Sequence, residues 1–295
     1  MRLLIFGLGY SAERIAVLAA ARGAVVMATT RDGRGGTLRF ADRDAVLPAL
    51  AVATHILSSV PPPAPFQRGC ASPEPWAPPP DGDDPVLAAY RERLGSKWLA
   101  YLSSTGVYGD TGGAWVDETA AIGGRRPARA AADRAWLDLG ARVFRLPGIY
   151  GPGRSALDRV RDGSAHRVGG TGVFSRVHVD DLAAGVVAGL FLGEGAPVGA
   201  YNLADDLPAP HDAPIAFAAG LLGVAPPPVV PLDQLSPMAR GFHAENRRVA
   251  TAKAKAVLGW APRYPDYRAG LRAVSATTSP TAASAAPPPA SGVQR

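Results

Sequence analysis

The chain has 295 residues, a formal net charge of +6 and one cysteine, Cys70. This length can bury a sizeable hydrophobic core, and a single cysteine excludes a framework of intramolecular disulfides. No segment approaches the roughly eighteen apolar residues that a membrane span needs, and no secretion signal is evident, so we predict a cytoplasmic protein that contacts no membrane.

The positive charge does not predict a nucleic-acid partner. The arginines are scattered among Ala, Gly and Pro, and no segment interleaves basic and aromatic residues as a nucleic-acid surface does. We therefore expect a small-molecule substrate and no nucleic acid, with a few arginines left to bind cofactor phosphates.

The N-terminal segment carries the pattern of a dinucleotide-binding βαβ unit. An apolar run at 3–6 leads into Gly7, Gly9 and Ala12, and apolar residues then recur at helical spacing. Glycines permit a sharp turn against a pyrophosphate, which the free amides of the helix N-terminus bind, and the third position accepts Gly or Ala. The predicted cofactor contacts in this segment are Gly7, Gly9, Tyr10, Ser11 and Ala12.

The end of the second predicted strand bears on the choice between NADP and NAD. An acidic residue about twenty residues after the glycines binds the ribose 2′-hydroxyl of NAD, whereas an arginine there pairs with the 2′-phosphate of NADP. Thr30 and Arg31 occupy this place, so we favour NADP(H) over NAD(H). Two alternatives stay open: Arg31 is an ordinary surface arginine, and Asp32 keeps NAD possible.

The next predicted elements alternate between strands and helices. Strands are predicted over 54–60, 98–102 and 143–146, and helices over 86–94 and 128–139. This alternation is typical of an α/β fold with a Rossmann-like, doubly wound parallel sheet. Ligands bind at the carboxyl ends of the strands in such sheets. We therefore expect three residues of the first of these strands beside the cofactor, namely Ser58, Ser59 and Val60.

Composition divides the chain into three predicted regions. Residues 1–153 form the dinucleotide-binding core, which includes a Pro-rich surface loop at 61–85. Residues 154–274 form a smaller substrate-side region interleaved with that core. Residues 275–295 are Ser, Thr, Ala and Pro without a hydrophobic period, and are predicted to be a disordered tail.

Six motifs follow one another along the chain: GLGYSA at Gly7, SSTGVYGD at Ser103, RLPGIYGPG at Arg145, VHVDDLA at Val177, YNLADD at Tyr201 and KAKAVLGW ending at Trp260. Together they resemble the short-chain dehydrogenase/reductase superfamily, in its atypical or extended branch of NAD-dependent epimerase/dehydratase proteins. The resemblance implies a nicotinamide cofactor and, by analogy, a possible homodimer. The further cofactor contacts that it implies are Ser103, Arg129, Pro147 and Ile149.

The resemblance also implies a catalytic set that this chain carries only in part. In working members a Ser or Thr binds the substrate oxygen, a Tyr acts as acid and base, and a Lys four residues later lowers the Tyr pKa. Ser104 and Thr105 match the oxygen-binding position, but no Tyr or Lys occurs between Gly109 and Ile149. Arg129 can supply the positive charge of the missing lysine, but it cannot donate a proton as the missing tyrosine does.

Tyr108 is the tentative acid and base that remains, and its alternative role is structural, within the V-Y-G turn. His178 is expected to support Asp180 and Asp181, whose carboxylates are expected to cap a helix rather than bind a metal. Arginines in the late part of the chain show no recognisable substrate code. Arg240, Arg247 and Arg248 either bind an anionic substrate or face water, and we favour the second.

Two functions follow from these features. The first is an NADP(H)-binding oxidoreductase or epimerase-like enzyme that acts on a small polar or sugar-nucleotide-like substrate. The second is a non-catalytic NADP(H)-binding redox sensor or scaffold that has lost the Tyr and Lys pair.

Overall fold

The structure is a computed structural model that describes residues 1–63, 84–170 and 172–278. Cys70, most of the predicted Pro-rich loop and the predicted tail from 279 onward lie outside the described residues. None of the described helices is long and apolar enough to cross a lipid bilayer.

The described residues form strands and helices in alternation. The strands are β1 (Arg2–Phe6), β2 (Val25–Thr30), β3 (Leu38–Arg39), β4 (His55–Ser58), β5 (Trp98–Ser104), β6 (Trp115–Val116), β7 (Arg142–Leu146), β8 (Gly148–Tyr150), β9 (Val173–Phe174), β10 (Arg176–His178), β11 (Gly199–Asn202), β12 (Ala209–Pro210) and β13 (Arg248–Val249). The helices are α1 (Tyr10–Ala21), α2 (Arg43–Val52), α3 (Pro85–Leu94), α4 (Pro127–Asp138), α5 (Ala156–Arg161), α6 (Val179–Leu192), α7 (Ala213–Leu222), α8 (Pro237–His243), α9 (Ala252–Leu258) and α10 (Tyr267–Thr278).

The main sheet has seven strands in the order β11-β7-β5-β4-β1-β2-β3, and every neighbouring pair is parallel. This is the doubly wound order, in which the strand sequence reverses beside β1 and a ligand crevice opens at that point. The prediction of a Rossmann-like α/β fold is confirmed.

Helices cover both faces of the main sheet, as the near-continuous apolar runs of its strands require. On one face, Ile15 of α1 and Leu182 of α6 pack against Ile5 of β1. On the other face, Trp136 of α4 belongs to the same buried cluster as Leu4 of β1. The sheet is therefore buried on both sides, and its loops at the carboxyl ends are left to bind ligands.

The later part of the chain contributes to the main sheet and also builds a smaller layer. Strand β11 lies in the main sheet although it follows residue 153, whereas β10 pairs with β8 outside that sheet. Helices α5, α7 and α10 share a third core that contains Leu157, Ala218 and Leu271. Helix α10 continues to Thr278, so residues 275–278 are helical and the predicted start of the disordered tail was wrong. The division of the chain into regions stays a prediction.

Candidate cofactor and substrate site

The turn after β1 brings the backbone close to the end of β4. Gly7 has a φ of +85°, a conformation that residues with a Cβ rarely adopt. A Cβ on Gly7 would lie 2.9 Å from Cγ2 of Val60. The Ser59 hydroxyl donates to the Gly7 carbonyl, and the Gly7 amide donates to the Thr29 carbonyl at 3.2 Å. Only glycine fits this turn, and two strand ends hold it in place.

The N-terminus of α1 is open to a ligand. Gly9 is the N-cap residue and provides no side-chain hydrogen bond, and a Cβ on Gly9 would meet no atom within 4 Å. The first amides of a helix have no intrahelical acceptor, and here they include those of Tyr10 and Ser11. Uncapped amides at the positive end of a helix suit an anion, so the residues present fit the pyrophosphate of a dinucleotide.

Two of the predicted contacts in this segment have structural roles. Ala12 is 1% exposed and packs in the core beneath α1, which is the packing role of the third position in the fingerprint. The Tyr10 hydroxyl donates to the Pro152 carbonyl at 3.2 Å, and the Arg154 guanidinium lies 5.6 Å from the centre of the Tyr10 ring. Tyr10 therefore links the glycine turn to the loop after β8.

The end of β2 presents two arginines. Buried Thr30 shapes the loop, because its hydroxyl accepts the Gly33 amide at 2.9 Å. Arg31 is exposed and has no ion-pair partner among the described residues. Arg34 lies 3.5 Å from the exposed carboxylate of Asp32, whose pKa is lowered chiefly by backbone hydrogen bonds. The sequence interpretation missed Arg34, although it lies three residues after Arg31 in a glycine-rich loop.

Two other predicted cofactor contacts are buried. Ser58 is 0% exposed, and its hydroxyl therefore lies beneath the surface of the crevice. Ser103 donates its hydroxyl to Oδ2 of Asp133 at 2.6 Å and is also buried. Alternate residues of a strand face opposite sides of the sheet, and both of these side chains face inward. Of the three residues predicted at the end of β4, Ser59 and Val60 are the ones with partly exposed side chains.

Tyr108 belongs to a buried polar network. Its hydroxyl donates to Oδ1 of Asn202 at 2.8 Å and accepts from Nη1 of Arg145 at 3.0 Å. Arg145 also pairs with Asp133 at 2.8 Å, and both side chains are almost completely buried. Burial raises the pKa of Tyr108, and the nearby Arg145 offsets only part of that rise. The network favours the structural role of Tyr108 over the tentative catalytic one.

Helix α4 carries no tyrosine and no lysine. Its Arg129 donates to the hydroxyl of the buried Tyr101 at 2.9 Å. Just before the helix, Arg125 pairs with Glu245 at 2.8 Å. Neither arginine lines the substrate cavity described next, so α4 offers this cavity no group that exchanges a proton near neutral pH.

A cavity of about 530 Å³ lies at the carboxyl end of β5 and beside α5, α7 and α10. It brings together four residues that the sequence predicted, namely Ser104, Thr105, Pro147 and Ile149. Ser104 accepts the Gly106 amide at 3.1 Å, which fixes its side chain at the cavity wall. The structure therefore places the predicted oxygen-binding pair and the predicted nicotinamide-flanking segment in one space.

Four arginines also line this cavity: Arg154, Arg159, Arg176 and Arg247. The expectation that Arg247 faces water was wrong, because its side chain is only 12% exposed. Its guanidinium donates to the Gly109 carbonyl at 2.6 Å and to Glu245 at 2.7 Å. The pairing of β13 with β6 brings this segment to the cavity, and no local pattern signals such a pairing.

The predicted histidine and aspartates have structural partners. His178 is the N-cap of α6, and its Nδ1 accepts the Asp180 amide at 3.2 Å. The Asp181 carboxylate accepts the amides of Arg263 at 2.8 Å and Tyr264 at 3.0 Å. Asp181 thus holds a distant loop against the start of α6, while His178 itself supplies the cap.

Comparisons with known proteins agree with this architecture. No model of a known protein family matches the chain. A solved structure from Silicibacter pomeroyi, described as a functionally unknown conserved protein, is 36% identical with a TM-score of 0.81, and the match covers 94% of this chain and 98% of that one. The UDP-glucose 4-epimerase of Thermus thermophilus, solved with NAD, has a TM-score of 0.69 at 21% identity, covering 92% of this chain and 97% of that one. The chain therefore resembles the Silicibacter protein over nearly its whole length and shares its fold with the NAD-dependent epimerases.

One curated relative has a named activity. The 3-diazoavenalumate denitrifying reductase of a Streptomyces species is 35% identical over 149 residues. That match covers 45% of this chain and 47% of the reductase, so the chain matches about half the length of its curated relative.

Proposed function

We propose that this chain is an NADP(H)-dependent oxidoreductase, or an epimerase-like enzyme, that acts on a small polar substrate. The observation that carries the proposal is the open N-terminus of α1 behind Gly7, next to a cavity of about 530 Å³. The NAD bound to the Thermus epimerase and the reductase activity named for the Streptomyces relative support it. When bound, the nicotinamide supplies or accepts a hydride.

The preference for NADP rests on the end of β2. Arg31 has no acidic partner among the described residues, and Arg34 shares its charge only with the exposed Asp32. A dianionic 2′-phosphate can pair with both guanidinium groups, whereas a ribose hydroxyl gains little from them. Asp32 itself is the group that an NAD ribose would use.

Ser104 and Thr105 orient the reacting group of the substrate in this proposal. Ser104 is fixed by its bond from the Gly106 amide, and Thr105 is buried at the same wall. Pro147 and Ile149, which line the cavity, would flank the nicotinamide and exclude water from it. Because the hydroxyl of Tyr108 is held in its buried network, the reacting group takes its proton from water. An electron-poor acceptor that the hydride neutralises needs no proton.

Gly9→Asp tests the cofactor site directly. Asp is a favourable N-cap residue, and the backbone of Gly9 has a φ of −110° that it adopts without strain. The variant should fold with a stability equal to that of the parent or higher, yet lose NADPH binding by at least about 100-fold, because its carboxylate occupies the amides and repels phosphate. Gly220→Ala, at an exposed position of α7, is the matched control for a glycine change, because its backbone is not left-handed and a Cβ there meets no atom within 4 Å. Unaltered NADPH binding by Gly9→Asp would refute the site.

A second candidate function is a sensor that binds NADP(H) without turnover. The engagement of Tyr108 by Asn202 and Arg145 favours it, as does the absence of Tyr and Lys from α4. Oxidation of NADPH is measured against a panel of aldehydes, quinones and aryl diazonium salts. Any turnover that depends on Thr105 supports the enzyme, and tight NADPH binding with no oxidation by any acceptor supports the sensor.

A further inference from the structure

The cavity beside Ser104 has one strongly positive end. Arg159 of α5 and Arg176 of β10 both line it, and no Asp or Glu is among the lining residues. In the part of the chain that the structure describes, no carboxylate oxygen lies within 4.0 Å of a nitrogen of either guanidinium group, the distance that defines an ion pair. Two guanidinium charges in a partly enclosed space are costly to leave without an anion.

Arg176 is held in place without losing its charge. Its Nη1 donates to the carbonyls of Phe174 at 3.0 Å and Ala209 at 3.1 Å, and its Nη2 donates to the Pro210 carbonyl at 3.4 Å. Carbonyl oxygens are neutral acceptors, and a guanidinium has five N–H donors. The bonds therefore orient the group and leave it able to bind a carboxylate or phosphate.

The acidic groups nearest to this end do not neutralise it. Burial raises the pKa of Asp205 to about 8, so this carboxyl is mostly protonated at neutral pH beside Arg176. The Asp212 carboxylate accepts the amides of Val168 at 3.0 Å and Gly169 at 2.8 Å. Neither carboxyl group lines the cavity or lies within ion-pair distance of Arg159 or Arg176, so both guanidinium groups stay available to an anion.

His211 also lines the cavity, and its pKa responds to the positive charge of the two arginines. Burial, together with the neighbouring His243, Arg176 and Arg159, lowers the pKa of His211 to about 4. The imidazole is therefore neutral near pH 7, and the positive charge of this end belongs to the arginines.

The remaining walls suit an apolar body. Ile149, Ile215, Val249 and Leu271 also line the cavity. The volume of about 530 Å³ lies within the range of sites for single small molecules, roughly 300 to 1,000 Å³.

We propose that this cavity binds a compact substrate that has an apolar body and an anionic group, either a carboxylate or a phosphate. The anionic group pairs with Arg159 and Arg176. The reacting group then lies at Ser104 and Thr105, and this second placement rests on the function proposed above. The site thus selects substrates by their charge.

Three probes of similar size test the charge selection: cinnamate, phenyl phosphate and the uncharged cinnamyl alcohol. Their binding is titrated by tryptophan fluorescence, once with NADP⁺ present at saturation and once without it. Arg159→Gln removes one charge from the cavity. Arg161→Gln is the matched control, because it removes one charge from the same helix at an exposed residue outside the cavity.

Cinnamate or phenyl phosphate should bind the wild type at least about tenfold more tightly than the alcohol. Arg159→Gln should weaken that binding by at least about tenfold, and Arg161→Gln by less than about twofold. The tighter of the two anions identifies the group as carboxylate or phosphate. If the protein binds the anions but not NADP⁺, the anion site is supported and the proposed function is rejected. Equal binding of alcohol and anions, equal effects of the two variants, or no binding of any probe would overturn the proposal.

Discussion

Asp205→Asn should stabilise the protein increasingly as the pH rises. Asp205 is 2% exposed, and neither of its carboxylate oxygens has a hydrogen-bond partner among the described residues. Burial raises its pKa from 3.8 to about 8, although the charge of Arg176 opposes that rise. The folded protein therefore holds a proton on this carboxyl that the unfolded chain releases near pH 4.

The size of the effect follows from the pKa difference between the folded and unfolded states. The contribution of Asp205 to stability is intact below about pH 4, falls as the pH rises, and is fully lost above about pH 8. One pKa unit corresponds to about 1.4 kcal/mol, so the free energy of unfolding loses up to about 4 kcal/mol by pH 7 and about 6 kcal/mol above pH 8. Both values are upper limits, because water penetration and relaxation reduce the cost of a buried charge.

Urea unfolding followed by tryptophan fluorescence, at intervals between pH 5 and pH 8, measures the difference. Asn has the shape of Asp but does not ionise, so the stability of the variant should exceed that of the wild type by several kcal/mol at pH 8 and by much less at pH 5. Asp206→Asn is the matched control, since this half-exposed carboxylate pairs with Lys255 at the surface and should change stability by less than about 1 kcal/mol. A difference between Asp205→Asn and wild type that stays constant over this pH range would refute the reasoning.

Three further outcomes are expected. Tyr108→Phe should lower the free energy of unfolding by about 1 to 3 kcal/mol in urea, because it removes the buried hydrogen bonds of the Tyr108 hydroxyl with Asn202 and Arg145. NADPH affinity should stay unchanged, and a loss of any turnover without loss of stability would instead make Tyr108 catalytic. Ser104→Ala should keep NADPH affinity within about twofold but reduce any turnover by at least about tenfold, and equal turnover would remove Ser104 from the site. Arg34→Ala should weaken NADPH binding less than Arg31→Ala does, because Arg34 already shares its charge with Asp32 at 3.5 Å; calorimetry that gives the reverse order would show that Arg34 is the main phosphate ligand.

The sequence predicted the features that depend on neighbouring residues. The run before Gly7 is apolar because β1 is buried on both faces, and the glycine itself is required by a positive φ beside Val60. Parallel strands align their carboxyl ends, so the prediction that Ser104 and Pro147 share one site needed only the order of the elements. Both residues line the same cavity.

The features that the sequence did not predict depend on distant contacts. The hydroxyl of Tyr108 donates a hydrogen bond to Asn202, which lies 94 positions later in the chain. The hydrophobic periodicity of a local segment does not predict such a pair. Arg247 reaches the cavity only because β13 pairs with β6. Strand β10 contains only Arg176, Val177 and His178. It pairs with β8 outside the main sheet, and a run of three residues does not specify such a partner.

Calorimetric titration of the purified protein with NADPH and with NADH, after bound nucleotide has been removed, tests the central claim most directly. The amides at the start of α1 and the guanidinium of Arg31 predict saturable binding of both, with NADPH at least about tenfold tighter, and the loss of that difference in Arg31→Ala. Binding of neither nucleotide by the folded protein would contradict the claim that this chain uses a nicotinamide cofactor.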